Sequence, residues 1–205
     1  MPMREKLLQE LQNEQDVGVL LLAQLGGVPN EIQVFIQTTH FDESVQGLRE
    51  RPGGYVIRCI STVEHRLSLG LFGSMFFTAE HPILLHHNEP KLGIQFSGKP
   101  ANASELIVDI QQAYASTFGP WRELAADINR EQPLFTLLQS GAGRLGSMPR
   151  SAAERMVRVL EHHGMTGTLD GDINARPDPQ YKLLGIGDAY FVAIDFSVER
   201  MGDRR

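Results

Sequence analysis

The run Tyr55–Leu71 carries Tyr55, Ile57, Cys59, Ser61, Val63, His65, Leu67, Leu69 and Leu71 at its odd positions, and Arg58, Thr62, Glu64, Arg66 and Ser68 among its even ones. Alternation of period two marks a strand with one packed face and one wet face. Sheets built from such strands are usually antiparallel. At ~3.3 Å per residue the run is longer than an ordinary strand, so it must bend or fold back. Gly70 and Gly73 are the candidate breaks.

Similar patterns extend on both sides. Val17–Leu25 and Ile32–Ile36 flank Gly26-Gly27-Val28-Pro29-Asn30 and read as a hairpin. Ile83–His87 and Lys91–Ser97 read as another around Asn88-Glu89-Pro90, with Leu92, Ile94 and Phe96 on one face. The chain closes with Tyr181–Ile186, a Gly187-Asp188 turn, and Tyr190, Val192, Ile194, Phe196 and Val198 in alternation. Met201–Arg205 is a frayed tail.

Between these strands the period becomes helical. Met3–Gln15 is a short amphipathic helix with Leu7, Leu8 and Leu11. His40–Glu50 is polar with a helical turn, and Arg51-Pro52-Gly53-Gly54 is a break. Asn102 with Glu105 forms a capping box ahead of the stripe Leu106, Ile110, Tyr114 and Phe118, ended by Gly119-Pro120. Trp121, Leu124 and Ile128 suggest a second short helix, and Pro133–Gln139 fits helix or strand. Ser151 with Glu154 forms a second capping box, opening a helix through Met156, Val157, Leu160 and His163. Leu169–Pro179 is an exposed acidic loop. Strands, then helices, then strands predict an α+β fold: a mostly antiparallel sheet with helices packed on one face. The expected organisation is a single domain, 1–205, with sub-lobes 1–118 (sheet plus helix) and 119–205 (helical segment plus C-terminal hairpin).

Composition narrows the function classes. The chain has 205 residues, 41% of them hydrophobic, enough for a sizeable core. Residues 1–100 hold 8 basic and 11 acidic side chains and the remainder 11 and 14, so neither half offers a broad phosphate-binding face. A nucleic-acid partner is not expected. One cysteine, Cys59, excludes an intrachain disulfide and fits a reducing cytoplasm. The charged start Met1–Lys6 lacks the apolar core of a signal peptide, and Val17–Val28 is too short for the ~20 residues of a membrane helix. A cytoplasmic protein without membrane contact is the expectation.

Several motifs invite chemical readings. Gly141-Ala142-Gly143-Arg144-Leu145-Gly146 matches G-x-G-x-x-G, the loop whose backbone N–H groups grip a pyrophosphate. The next helix begins beyond the last glycine, which weakens the match. Arg144, Arg150, Arg155 and Arg158 gather around that segment, and Arg155, Arg158 and His162 form a helical stripe suited to an anion or acidic partner. The adjacent pairs His86-His87 and His162-His163 cannot chelate as neighbours, no Cys cluster exists, and no metal is expected. A site from distant parts, such as His40 with Asp42 or Glu43, is the remaining metal reading. Cys59 and His65 sit ~20 Å apart along a straight strand, too far for a catalytic dyad. Cys59 reads as a buried apolar residue, whereas His65 needs a buried partner or lines a pocket. Asp170-Gly171-Asp172-Ile173-Asn174 resembles the start of a calcium loop but has Ala175 for glycine and Tyr181 for glutamate.

Phe76-Phe77 and Tyr190-Phe191 put large apolar groups on both faces of their strands, as do Leu84-Leu85 and Leu183-Leu184. The second face must be covered by helices of this chain or by a partner. Phe76, Phe77, Tyr190 and Phe191 are therefore the candidate interface. The leading expectation is a non-catalytic protein-binding, accessory or assembly factor without cofactor, acting on another protein or on itself as a homodimer. One alternative is a small-molecule-binding protein or enzyme with a pocket between sheet and helices, lined by His65, Trp121 and the Gly141–Gly146 segment with Arg144. Another is nucleotide binding through Gly141, Gly143, Arg144 and Gly146.

Overall fold

The computed structural model describes residues 2–11, 17–42, 47–50 and 54–201. Helix α1 (Met3–Glu10) leads into strands β1 (Val17–Leu25), β2 (Ile32–Asp42), β3 (Gly47–Glu50), β4 (Tyr55–Ile60), β5 (Glu64–Arg66), β6 (Gly70–Phe72) and β7 (Met75–Thr78). Next come α2 (Leu85–Asn88), β8 (Lys91–Ser97), α3 (Ala103–Phe118), α4 (Leu134–Gln139), β9 (Ala142–Pro149), α5 (Arg150–His162) and β10 (Thr166–Asp170). Strands β11 (Lys182–Ile186), β12 (Ala189–Ala193) and β13 (Asp195–Arg200) close the chain. The strands form three antiparallel sheets, ordered β13-β4-β2-β1-β6 with β3 beside β2, β5-β12-β11-β7, and β10-β8-β9. The fold is α+β.

Contacts gather the chain into two compact units, Met1–Glu80 with Tyr181–Arg205, and His81–Gln180. The second unit is thus an insertion, and the division falls at 80/81 and 180/181 rather than after Phe118. The chain leaves and re-enters the first unit on paired neighbours, since Thr78 of β7 lies opposite Leu183 of β11.

The first unit packs two sheets around one core. Leu20, Ile32, Val34, Ile36, Ile57 and Cys59 of one sheet bury against Leu184, Ile186, Phe191 and Ala193 of the other, with Leu7 of α1 added. Burial of each large aliphatic side chain contributes about 1.5–3 kcal/mol. A two-stranded ribbon joins the sheets: β4 pairs with β13 in one, and their continuations β5 and β12 pair in the other. The long alternating run bends here, at Ser61 with φ 53°, and again at Gly70 with φ 125°. Its alternation holds for Tyr55, Ile57 and Cys59, which are buried. Past the bend the phase is lost, and Val63, Leu67, Leu69 and Leu71 are exposed while Phe72 is buried. Leu67 and Leu69 lie between β5 and β6, and Leu71 lies in β6 on the opposite face from Phe72.

The second unit lays α3 and α5 on the three-stranded sheet. Leu106, Ile110, Tyr114 and Phe118 are all buried, as their helical spacing predicts, and pack with Leu92, Ile94 and Phe96 of β8 and with Met156 and Leu160 of α5. Asn102 caps α3 by accepting from the Ser104 and Glu105 amides at 3.1 and 3.2 Å.

Several local expectations are corrected. Ile83–His87 is no strand: Pro82–Leu84 forms a 3-10 turn, capped by His81, that runs into α2. Ser151 does not cap α5, which starts at Arg150. Its amide donates to Glu89 at 2.8 Å and its hydroxyl also donates to that carboxylate, so an acidic group from the turn before β8 seals the helix. Trp121 and Leu124 lie in 3-10 turns. His40–Glu50 carries no described helix: β2 runs to Asp42 and Gly47–Glu50 is β3. Residues 43–46, the break at 51–53 and the tail at 202–205 lie outside the described residues, as does the end of the N-terminal helix expected through 15.

Candidate docking site

The predicted glycine loop is a strand. Ala142–Pro149 pairs with β8 along its length, and Gly146 bridges Ile128 on its other side. Its glycines serve packing. A Cβ on Gly146 would lie 2.3 Å from the Asp127 carbonyl oxygen, and one on Gly143 would lie 3.0 Å from Leu137 Cδ1. A loop of free amides curled around a phosphate is absent here, because the ladder already uses those groups. Gly141, with φ 87°, turns into the strand, and Arg144 lies exposed on it. Trp121 sits edge-on to His81, ring centroids 4.9 Å apart, in the second unit, whereas His65 belongs to the first.

The interface residues separate by face. Phe191 is fully buried in the core of the first unit, and half-buried Phe77 packs against that core, edge-on to Phe196 at 5.6 Å. Tyr190 is half-buried and donates to Glu64 at 2.9 Å. Phe76, over Gly185, alone stays substantially exposed. Leu183 and Val192, on the same face as Phe76 and opposite to Leu184 and Phe191, are buried, so this second face is closed at Leu183 and Val192 and open at Phe76.

The uncovered apolar surface lies elsewhere in the first unit. An extra residue, Leu21, shifts the register of β1, since Leu20 faces Ile36 while Leu22 faces Phe35. The bulge turns Ala23 and Leu25 inward, opposite buried Val34 and Ile32, and Leu22 and Gln24 outward. Leu25 nevertheless stays 83% exposed and Leu71 80%. Leu22, Val28, Ile60, Val63, Leu67 and Leu69 join them as exposed aliphatic groups. The Thr62 amide donates to the Asn30 carbonyl at 2.7 Å and ties the β1–β2 turn to the bend after β4, so Leu25, Val28, Ile60 and Val63 gather at one rim, which Leu67 joins beside Leu25.

A crevice of about 150 Å³ opens in the rim, lined by Ala23, Gln24, Leu25, Ile32, His65, Leu67 and Phe191. His65 lies parallel to Phe191, ring centroids 6.3 Å apart and planes 6° apart. The imidazole thus forms an apolar wall of a pocket mouth. Cys59 is fully buried on β4, and burial, reinforced by the Glu31 charge, pushes its thiol far above the ordinary range. No nucleophile results.

Sequence reasoning missed one polar cluster. In the second unit the Tyr114 hydroxyl donates to Asp127 Oδ2 at 2.6 Å. His86 Nε2 approaches the same oxygen at 3.0 Å, but off the hydrogen-bonding direction. Burial pushes the Asp127 carboxyl up, yet His86, Tyr114 and Lys91 outweigh it and hold the group below its usual range. Burial, then the bond to Asp127, pushes the Tyr114 phenol up. The side chains of His86 and Asp127 are 7% and 6% exposed, so the cluster is an internal lock. The signal available was Tyr114 itself, a hydroxyl on an apolar stripe that needs a buried acceptor.

Arg155, Arg158 and His162 line an open groove between α3 and α5, where Arg155 reaches Ser116 and His163 meets Asp109 at 2.7 Å. Asp172 accepts from the Asn174 amide. Among the described residues no group of three His, Cys, Asp or Glu side chains can hold a metal. The side chains of His40, Asp42 and Glu43 lie outside the described residues. No helix among them is long and apolar enough to cross a membrane. Comparison with protein families, with curated proteins and with solved structures finds no match for this chain.

Proposed function

We propose that this chain is a non-catalytic protein-binding module, an accessory or assembly factor that docks a partner on the apolar rim of its first unit. One observation carries the reading: Leu25 and Leu67 stand exposed at a small, largely apolar crevice, with Leu71 exposed on the neighbouring strand β6. Contiguous exposed apolar surface of this kind marks a contact site. The buried state of Cys59 and of the Asp127 cluster supports a binding role over a chemical one. A cytoplasmic location fits the single reduced thiol.

Two measurements test the reading. Thermal-shift screening against nucleotides, divalent metals and metabolites should leave the melting temperature unmoved, because no such ligand binds the native state. The double variant Leu25→Glu/Leu71→Glu should keep the native melting temperature yet lose the proteins that the native chain retains from its own cell extract. A rise of several degrees with one ligand class, or unchanged retention by the variant, overturns the proposal.

A further inference from the structure

We infer that the partner at the rim is a second copy of this chain, joined edge to edge through Leu22–Leu25 of β1. The inference rests on the docking reading above and names its partner. β6 covers only Gly18–Leu20 of β1, and the chain then turns away at Gly70. Beyond Leu20, β2 is the single strand paired with β1 among the described residues. Alternate backbone N–H and C=O groups of Leu22–Leu25 therefore face outward, a template for another strand.

Apart from the bulge at Leu21, this edge carries no chemical protection. Leu22, Ala23, Gln24 and Leu25 include no proline and no charge. Two copies of a chain with net charge −6 can meet there without opposing like charges.

Shape selects the register. Residues opposite one another in an antiparallel pair share a face. A two-fold axis at Gln24 sets Gln24 against itself on the outer face and Ala23 against the second copy's Leu25 on the inner face. Small Ala23 leaves room in the crevice, and protruding Leu25, 83% exposed, is the side chain that fills it. Each copy supplies both knob and hole, as an isologous contact requires.

Light scattering of the full chain from about 1 to 100 µM should give a dimer that dissociates on dilution. Gln24→Cys should crosslink into a covalent dimer under mild oxidation, because cross-strand Cα atoms at the axis lie about 4.5–5.5 Å apart. The natural thiol of Cys59 is buried and does not compete. Gln24→Lys should weaken self-association by roughly thirtyfold, with the melting temperature of the monomer unchanged. A monomer throughout the range overturns the inference, as does a dimer that Gln24→Cys fails to crosslink and Gln24→Lys fails to weaken. If the chain is monomeric but Leu25→Glu/Leu71→Glu still loses a retained protein, self-pairing alone falls. If retention is also unchanged, the docking reading falls with it.

Discussion

The two units handle their awkward residues in opposite ways. The second takes three polar groups, Tyr114, Asp127 and His86, into its core and joins them at one carboxylate oxygen. The first leaves aliphatic side chains outside, around the mouth of its crevice. A buried polar cluster contributes stability through mutual satisfaction and is inaccessible to ligands. An exposed apolar rim contributes little to the isolated fold and offers surface to a partner. On the proposed reading, buried polar chemistry holds this fold together and the exposed apolar rim is the docking surface.

The sharpest way to break that contrast is Asp127→Ala. It strands the buried Tyr114 hydroxyl, removes the carboxylate beside His86, and should cost about 3 kcal/mol, read from urea unfolding. Because the folded carboxyl is held below its usual range, its stabilisation is full above the unfolded value of about 4 and is lost as pH falls through the folded value. Native urea midpoints should accordingly fall below pH 4, and the variant should lack that part of the drop. Equal acid sensitivity of the two proteins would remove Asp127 from the account.

Gly146→Ala comes next. The new methyl meets backbone atoms of Asp127 and Ile128 at 2.3 and 2.9 Å, which cannot swing aside as a side-chain tip would. A loss of about 1–3 kcal/mol is expected from overpacking. Gly143→Ala meets only the end of Leu137 at 3.0 Å and should cost less. Glu89→Ala removes the carboxylate at the start of α5 and should cost about 1 kcal/mol. Smallest of all in stability, within about 0.5 kcal/mol, is Leu25→Glu on the rim. Its effect should appear in association instead. A large unfolding penalty there would mean that the rim belongs to the fold.

Local patterns were readable wherever a residue's role depends on close neighbours in the chain. The β1–β2 hairpin, the apolar face of β8, the Asn102 cap and the four-residue stripe of α3 all follow from spacing alone, because backbone geometry sets which side chains share a face. Spacing says nothing about what a face will meet. Gly141–Gly146 looked like a loop because glycine suits loops, and it is a strand because the segment around Ile128 must press against it. The Ser151 box looked complete, yet Glu89 reached the amide from 62 positions away. Leu67 and Leu69 carried the right period but lie between β5 and β6, outside both sheets, and Leu71 of β6 lies on the opposite face from buried Phe72; all three are exposed. Periodicity thus settled the antiparallel α+β class and most element identities. Which apolar groups are covered, which glycines are crowded and where Tyr114 finds its acceptor depended on contacts between distant segments, since burial and satisfaction are properties of pairs rather than of single positions.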